Sequence, residues 1–350
     1  MRRLIIEEDL KDIYRRDISW DELKNSTVLI TGAYGMLASY MAYMLIYLNE
    51  CCNMNIRIIA VVRSEEKLKK RFVSYANREY FSIYQGSLSE ALYIEENIDY
   101  IIHAASFASP QYYATCPVDV LKPNVIGNFH LLELAREKNV KGYLFFSSGD
   151  VYGKVAGIST ISEKDTGAID PLDIHSCYSE SKRMAETMCY AYFEQYNVPV
   201  KILRIWHTYA PTMDIENDPR VYASFMNNIV NGNDIVIKSD GAGMRSFCYI
   251  ADAVAAFFIV LLKAPSGEAY NVCNTAEFYS IKELAELLVP LRQDKKLNVV
   301  IKKRAHSEHY VENMNANSVP PSDKKLRALG WEPEYTTKQG FIRVYKYLTM

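Results

Sequence analysis

The stretch Thr31-Gly32-Ala33-Tyr34-Gly35-Met36-Leu37-Ala38 carries the strongest fold signal in the chain. It follows the apolar run Val28 to Thr31 and opens an apolar segment, so its small residues separate a predicted strand from a predicted helix. At such a junction the backbone can approach a pyrophosphate closely, and the helix N-terminus favours an anion. Because an alternating strand and helix pattern follows, we interpret the stretch as a dinucleotide-binding loop and not as a simple tight turn.

Short apolar runs alternate with longer helical segments from Thr27 onward. The predicted strands are Val28 to Thr31, Ile56 to Val62, Tyr100 to His103, Tyr143 to Phe146 and Val200 to Ile205. This alternation is typical of an α/β protein with a Rossmann-type, doubly wound parallel sheet. After Pro211 turn-rich pieces weaken the rhythm, which favours a smaller, interleaved C-terminal domain. Residues 1–25 indicate a helical lead-in that packs on the sheet domain.

The composition limits the partners and the compartment. The 350 residues hold 40 Lys and Arg against 42 Asp and Glu, so no global field favours nucleic acid or an anionic membrane. The 7 cysteines are scattered and lack metal spacing, so we expect a reducing cytoplasm, no disulfide framework and no metal. The uncharged stretch from Asn25 to Asn49 contains Gly32 and Gly35, and we predict a buried strand and helix there, not a membrane span.

The end of the second predicted strand bears on the cofactor subtype. Where an acidic residue would bind the ribose hydroxyls of NAD, the chain has Val61-Val62-Arg63-Ser64. Arg63 suits a 2′-phosphate or stacks on adenine, which leans toward NADP, although an arginine at a strand end is also often a solvated surface residue. We therefore expect tightly bound NAD or NADP.

Tyr178 and Lys182 lie one turn apart on the same face of a predicted helix. A tyrosine of pKa ~10 is a poor base at neutral pH, and a nearby ammonium with a positive nicotinamide ring favours the phenolate. Tyr178 could then take a hydroxyl proton while a hydride leaves for the cofactor. The spacing alone is more typical of an exposed helix surface.

A second polar group strengthens the catalytic interpretation of this pair. The strand Tyr143 to Phe146 runs into Ser147-Ser148-Gly149-Asp150, so hydroxyls and a carboxylate follow the carboxyl end of a strand. Open sheets of this type bind their ligands at that edge. We predict Ser148 as the hydrogen-bond partner of the reacting oxygen.

With these motifs the sequence resembles the extended short-chain dehydrogenases/reductases of the NAD-dependent epimerase/dehydratase family, which act on nucleotide sugars. The resemblance covers nearly the whole chain from Thr27. It also rests on His103-Ala104-Ala105, Pro123 to Asn128, Arg204 to Pro211, Arg245-Ser246-Phe247 with Tyr249 and Asp252, and Leu329-Gly330-Trp331. The stretch from Tyr178 to Tyr192 is most similar to UDP-glucuronate decarboxylases.

The resemblance implies roles for individual residues. The implied catalytic residues are Ser148, Asp150, Tyr178 and Lys182. The implied cofactor-binding residues are Gly32, Tyr34, Gly35, Met36, Leu37, Arg63, Ser64, Ala104, Ala105, Ser106, Asn124, Tyr178 and Lys182. The implied substrate-binding residues are Ser109, His207, Arg220 and Arg245, the two arginines holding the diphosphate of a nucleotide sugar. For both arginines a surface ion pair is the alternative.

The resemblance also implies domains and assembly. Residues 1–208 and 246–268 would form the dinucleotide-binding domain, and residues 209–245 and 269–350 the nucleotide-sugar-binding domain. Apolar helices around Leu121 to Leu134 and Tyr178 to Tyr192 resemble those of the family's four-helix dimer contact, so we expect a homodimer.

Departures from the family pattern bear on the reaction. Decarboxylases and 4,6-dehydratases carry a glutamate before the Val-Tyr-Gly run, and dehydratases an aspartate before that; here the positions hold Asp150 and Gly149. Since dehydration needs both an acid and a base, this argues against that route. His207 replaces an asparagine, either as a satisfied buried residue or as a proton donor or sugar contact. Ser87 replaces an aspartate placed near adenine.

The expected function is a redox-neutral cycle on a nucleotide sugar. Tyr178 would assist oxidation of a sugar hydroxyl at C4, the ketone would permit decarboxylation or epimerisation, and the hydride would return. Asp150 does not distinguish these two outcomes. The alternatives are an NADP-dependent net oxidoreductase or 4,6-dehydratase, and a catalytically silent dinucleotide-binding protein, against which Ser148, Tyr178 and Lys182 argue.

Overall fold

A seven-stranded parallel sheet organises the chain, whose computed structural model describes residues 2–302 and 319–350. Its strands are β1 (Thr27–Thr31), β2 (Arg57–Val62), β3 (Phe81–Gln85), β4 (Tyr100–His103), β5 (Gly142–Ser148), β6 (Val200–Ile205) and β11 (Glu268–Val272). The strand order is β11-β6-β5-β4-β1-β2-β3, and every neighbouring pair is parallel. The order reverses between β1 and β4, as in a doubly wound fold, and the predicted fold class is confirmed.

The remaining elements cover the sheet or build the second region. The helices are α1 (Arg2–Tyr14), α2 (Met36–Cys52), α3 (Glu65–Arg71), α4 (Pro110–Thr115), α5 (Pro117–Lys138), α6 (Ser176–Tyr196), α7 (Val221–Val230), α8 (Ile250–Lys263), α9 (Ile281–Leu288), α10 (Lys324–Arg327) and α11 (Thr337–Thr349). The short strands are β7 (His207–Tyr209), β8 (Ile235–Ile237), β9 (Met244–Arg245), β10 (Phe247–Tyr249), β12 (Tyr279–Ser280) and β13 (Val299–Ile301). Single 3₁₀ turns cover Trp20–Leu23, Gly149–Tyr152 and Val289–Leu291.

Two hydrophobic clusters lie on opposite faces of the sheet. The larger contains α2 and α8, and the smaller contains residues of α5 and α6. Strands covered on both faces read as continuous apolar runs, which is why the central strands were visible in the sequence. Among the described residues no helix is long and apolar enough to cross a membrane, and the uncharged stretch from Asn25 to Asn49 supplies β1 and most of α2.

The lead-in joins distant parts of the chain. On α1, the buried carboxylate of Asp9 accepts hydrogen bonds from Tyr40 of α2 (3.1 Å) and Tyr249 of β10 (2.8 Å), and pairs with Arg343 of α11 (2.8 Å). Arg16, just after α1, pairs with buried Asp252 of α8 at 2.6 Å. Burial raises the pKa of Asp9 to about 6, although Arg343 opposes the shift. The lead-in is therefore a connector between the sheet domain and the C-terminal helix.

Within the described residues, the second region shares its core with the sheet domain. Helices α7, α9 and α11 and strands β7, β8 and β10 contribute to the larger cluster together with α2 and α8. Strand β11 extends the sheet to Val272, past the predicted boundary at residue 268, because its backbone pairs with β6. Residues 303–318 belong to the predicted second domain and lie outside the described residues. The two-domain division otherwise stays a prediction.

Candidate active site

The loop between β1 and α2 lies at the carboxyl end of the sheet, where its backbone closely approaches the backbone that follows β4. Gly32 has φ +66°, and a Cβ there would lie 2.9 Å from the Cα of Ala105 after β4. Gly35 precedes the first turn of α2, and within the described chain no side chain caps that turn. Tyr34, Met36 and Leu37 are half-buried around the loop. The turn therefore presents N–H groups to the crevice between β1 and β4.

Thr31 and His103 fix the two sides of this crevice. The Oγ1 atom of Thr31 accepts hydrogen bonds from the backbone N–H groups of Ala104 (3.2 Å) and Ala105 (3.1 Å). The Nε2 atom of His103 donates to the carbonyl of Pro123 (3.0 Å), so its Nδ1 accepts from Thr31 (3.0 Å). Burial, with the nearby charge of Lys182, lowers the pKa of His103 to about 3 and keeps the ring neutral.

Buried polar atoms along the crevice indicate a ligand. Within the described chain, Ser106 Oγ, Ser109 Oγ and Asn124 Oδ1 have no hydrogen-bond partner. An unsatisfied buried polar group costs about 1–3 kcal/mol, so a ligand that completes these bonds would recover that free energy. Asn124 is held from its other side, since its Nδ2 donates to Ser181 at 2.9 Å. The crevice fits a dinucleotide with its many hydroxyl, amide and phosphate groups.

Tyr178 and Lys182 are both buried near the start of α6. The Nζ atom of Lys182 donates to the carbonyl of Phe146 (2.6 Å) and lies 5.8 Å from the ring centroid of Tyr178. Burial lowers the pKa of Lys182 to about 7, against the charge of Glu186. Burial and the charge of Asp150 raise the pKa of Tyr178, whereas a hydrogen bond from Ser148 and the charge of Arg220 lower it. Tyr178 therefore interacts with both predicted residues at the end of β5, Ser148 and Asp150.

Ser148 and Asp150 lie where β5 ends. The Ser148 side chain accepts the backbone N–H of Asp150 (3.2 Å) and so caps the 3₁₀ turn Gly149–Tyr152. Part of Asp150 is exposed to solvent, while neighbouring protein atoms desolvate its carboxyl. This desolvation raises the pKa of Asp150, and the charge of Arg245 opposes the rise. The structure thus brings Ser148, Asp150 and Tyr178 together.

Trp206 explains the glycine at position 149. A Cβ on Gly149 would lie 2.8 Å from Cε2 and 2.9 Å from Cδ2 of the Trp206 indole. The indole is held by a hydrogen bond from Nε1 to Asn271 Oδ1 (3.2 Å) and by its stack on Tyr152. A side chain at position 149 therefore cannot be accommodated unless Trp206 moves, and Asp150 stands without a second carboxylate at that position.

Tyr113 is a site residue that the sequence alone did not indicate. Its ring, on α4, stacks on that of Tyr178 with centroids 5.0 Å apart and planes at 13°. Burial and the neighbouring Tyr178 and Asp150 raise the pKa of Tyr113, so it is a neutral phenol in the cleft. The sequence shows only an aromatic pair, Tyr112-Tyr113, close to Ser109, and no local pattern places it against Tyr178.

The predicted substrate-binding residues lie beside this group. Arg245 donates to its neighbour's carbonyl at Met244 (2.7 Å), and its charge reaches both Asp150 and His207. Arg220 makes a forked ion pair with Asp218. His207 has a buried Nδ1 without a hydrogen-bond partner in the described chain, and burial with the two arginines lowers its pKa to about 3. This unpaired atom favours the interpretation of His207 as a proton donor or sugar contact, which stays a prediction.

The residues after β2 form a separate group. The guanidinium of Arg63 lies 4.4 Å from the ring centroid of Phe107, and Arg63 is otherwise exposed. Ser64 accepts the backbone N–H of Lys67 at 3.3 Å and so caps α3. An arginine stacked on an aromatic ring presents a flat cationic surface at the rim of the crevice. In the described residues, no group of three or more potential metal ligands is assembled.

Comparison with known proteins places this site in a family. The model of the NAD dependent epimerase/dehydratase family matches residues 28–273, which include the glycine loop, Ser148, Tyr178 and Lys182. The chain belongs to this family. The predicted membership of this epimerase/dehydratase family is confirmed.

Individual members give the degree of similarity. UDP-glucuronic acid decarboxylase 3 of Arabidopsis thaliana is 32% identical over 319 residues, covering 90% of this chain and 87% of that protein. The structure of UDP-glucose 4-epimerase of Thermotoga maritima with UDP-glucose has TM-score 0.76 at 21% identity, covering 92% of this chain and 98% of that chain. UDP-glucuronic acid 4-epimerase of Bacillus cereus with NAD has TM-score 0.73 at 20% identity, covering 92% and 96%. The solved structures support the fold.

Proposed function

We propose that this epimerase/dehydratase family member oxidises a hydroxyl of a nucleotide sugar at C4 and completes a redox-neutral decarboxylation or epimerisation with bound NAD. One observation carries the proposal: Tyr178 and Lys182 lie buried together beside Ser148 and Asp150. A cluster of titratable groups with shifted pKa values in a cleft is typical of an active site.

The crevice residues would hold the dinucleotide. Gly32 and Gly35 let the pyrophosphate approach the first turn of α2, and the unpartnered oxygens of Ser106 and Asn124 supply polar contacts. The predicted roles of Tyr34, Met36, Leu37, Ala104 and Ala105 rest on their position around the same crevice. When bound, the cofactor accepts a hydride from the sugar carbon and later returns it.

Four side chains in the cleft would then transfer protons or stabilise the charges that develop. Tyr178 takes the proton of the sugar hydroxyl, and Ser148 donates a hydrogen bond that stabilises the developing charge. Lys182, when protonated, lowers the pKa of Tyr178 because an ammonium near the ring favours the phenolate. Asp150, whose pKa is raised by desolvation, is placed to exchange a proton with the sugar carbon next to C4. Positioned acid or base catalysis of this kind contributes about 10²–10⁴-fold.

Decarboxylation of a UDP-linked uronic acid is the more strongly supported of the two outcomes. The relative at 32% identity is a UDP-glucuronic acid decarboxylase, and the similarity spans most of both chains. A C4 ketone lies two bonds from the carboxylate carbon, so it stabilises the carbanion that forms when carbon dioxide leaves. Gly149 and Trp206 leave Asp150 without the second carboxylate of a dehydratase, which argues against loss of water.

The proposal is tested by product analysis without added cofactor. The purified protein is incubated with UDP-glucuronic acid, the masses of the nucleotide sugars are followed by mass spectrometry, and the configuration at C4 is read by NMR. Loss of carbon dioxide at constant redox state, with dinucleotide released on denaturation, supports decarboxylation. A product of unchanged mass with inverted C4 indicates epimerisation. No product from uronic or neutral UDP- and dTDP-sugars, with no dinucleotide bound, would overturn the proposal.

NADP is a second candidate for the cofactor, because Arg63 stacks on Phe107 at the end of β2 in place of an acidic residue. A guanidinium there can bind a 2′-phosphate. Reconstitution of dinucleotide-free protein with NAD and NADP measures the preference. Arg63→Gln should weaken NADP binding selectively, and an equal effect on both dinucleotides would contradict this role.

Assembly and compartment complete the proposal. Apolar side chains on α5 and α6 face outward, among them Leu121, Ile126 and Phe129 of α5 and Met184 and Tyr190 of α6. The two helices pack against each other, so together they offer one broad surface. We propose that this surface forms a homodimer through a four-helix contact. A nucleotide-sugar substrate and free cysteines fit a cytoplasmic location.

A further inference from the structure

Arg183 follows Lys182 on α6 but points to a different part of the site. Its Nε atom donates to the carbonyl of Val151 at 2.7 Å, and its Nη2 donates to the carbonyl of Gly167 at 2.6 Å. The guanidinium also forms an ion pair with Glu180, which is half-exposed and lies 3.6 Å away. The guanidinium therefore donates both of these hydrogen bonds to backbone carbonyls.

These two carbonyls lie near opposite ends of one segment, residues 149–168, here called the site loop. Its first residues form the 3₁₀ turn that carries Asp150. Its ends close by an antiparallel bridge, in which Lys154 N donates to Ala168 O (2.9 Å) and Ala168 N donates to Lys154 O (3.2 Å). Of the two carbonyls that Arg183 binds, the first precedes this bridge in the chain, and the second lies within the segment that the bridge closes. One planar side chain thus fixes both ends of the site loop to the helix of Tyr178.

Other contacts hold the far part of the site loop. Ile161 N donates to Pro320 O at 2.9 Å, and Ser322 N donates to Ile161 O at 2.7 Å. Arg204 donates to the carbonyl of Glu163 at 2.9 Å. Because these contacts do not involve Arg183, its replacement should leave the loop attached and the protein folded. What changes is the link between the 3₁₀ turn and α6.

We propose that Arg183 is a positioning residue that holds Asp150 in register with Tyr178 by fixing both ends of the site loop to α6. The proposal rests on the proposed function for its catalytic consequence, but the positioning itself is a property of the protein alone. A shift of about 1 Å in a reacting group can cost 10²-fold in rate, so a backbone contact of this kind has a measurable effect.

The first measurement follows the Asp150 carboxyl directly. Protein labelled with ¹³C at aspartate is titrated by NMR, and the Asp150 signal is assigned from its loss in Asp150→Asn. Arg183→Gln should move the pKa of Asp150 toward the usual value of ~3.9, because the loosened loop carries the carboxyl away from the protein atoms that desolvate it. The control Arg78→Gln removes an exposed arginine paired with Glu50 and should leave the titration unchanged. An unchanged Asp150 titration in Arg183→Gln overturns the proposal, whether or not the protein is active.

The second measurement is a double-mutant cycle on turnover. Arg183→Gln should lower kcat about 10–100-fold with KM little changed, whereas in an Asp150→Asn background it should cost less than about 3-fold. Arg183→Lys, which keeps one donor to the loop, should recover part of kcat. Fully additive losses would show that Arg183 does not act through Asp150. An inactive wild type with a shifted Asp150 titration would overturn the proposed function and leave the positioning role intact.

Discussion

Lys182 is the residue whose burial has the clearest consequence for the chemistry. Its ammonium is enclosed by protein and meets the carbonyl of Phe146, with Glu186 as its nearby anionic neighbour. A pKa lowered to about 7 means that burial opposes the charge needed to favour the Tyr178 phenolate in the protein alone. Anions brought by ligands would favour the charged form, so binding and activation of the base are linked.

The first prediction concerns Lys182→Met and pH. The folded pKa of Lys182 lies below the value of 10.5 for a free lysine, so folding favours the neutral side chain. Its stabilising contribution is present above pH 10.5 and is lost as the pH falls through about 7. The stability of Lys182→Met relative to the parent should therefore rise from pH 10 to pH 7 and then level off. Urea unfolding of cofactor-free protein measures this, and a pH-independent difference would contradict the burial argument.

The second prediction concerns the contact between Gly149 and Trp206. Gly149→Ala places a methyl group against the indole, and overpacking of this kind costs about 1–3 kcal/mol. Trp206→Leu removes the ring, so Gly149→Ala should cost markedly less in that background. The free energy of unfolding of the four proteins tests this coupling. Gly243→Ala, at a glycine without a positive φ and with its nearest atom 3.7 Å from the added Cβ, controls for the loss of a glycine.

Side-chain roles were predictable where a backbone rule or a fixed spacing applies. Gly32 follows from the close approach of two strand ends, and the Tyr178 to Lys182 spacing follows from the helix period. Tyr113, Trp206 and Arg183 could not be predicted, because each acts on a residue far away in sequence. Such pairings depend on how α4, β6 and α6 meet at the edge of the sheet.

At the scale of elements, the central strands could be predicted from the apolar runs that their burial requires. Tyr100 to His103 and Val200 to Ile205 were predicted with the observed bounds, since central strands are apolar throughout. Strands β3 and β11 were missed because they form the two edges of the sheet and mix exposed with buried residues. The lead-in was predicted as helical, but its ion pairs join it to α8 and α11, which no local pattern reveals.

The third prediction concerns Asp9 of α1. Asp9→Ala leaves Arg343 and the hydroxyls of Tyr40 and Tyr249 without their shared buried partner. Removing one member of a buried ion pair typically costs about 3–5 kcal/mol. Thermal and urea unfolding should show this loss, whereas Glu7→Ala, at an exposed i, i+4 pair with Arg3, should change stability by less than about 0.5 kcal/mol. Equal losses of stability in the two variants would show that the buried Asp9 contacts stabilise the fold no more than a surface ion pair does.

At the scale of the whole molecule, the proposed homodimer depends on the outward apolar face of α5 and α6. Phe129 and Met184 have 45% and 51% of their surface exposed in one chain. Exposed apolar groups on adjacent helices are typical of an interface between subunits.

The fourth prediction is that Phe129→Glu with Met184→Glu converts a dimer into a monomer. Two carboxylates on this face would be desolvated in the contact and would repel their copies across a twofold axis. Sedimentation velocity measures the change, and the pair Val73→Glu with Tyr93→Glu, exposed apolar residues elsewhere, serves as the control. A parent protein that sediments as a monomer, or a double variant that remains dimeric, would contradict the assignment of the interface.

The ion pair between Asp9 and Arg343 also orders events during synthesis. The two residues are separated by more than three hundred others, so the pair can form only when both ends of this stretch have been made. Without Arg343, burial of the Asp9 carboxylate beside Tyr249 lacks its compensating cation. We therefore expect the docking of α1 on the sheet domain to be a late step of folding.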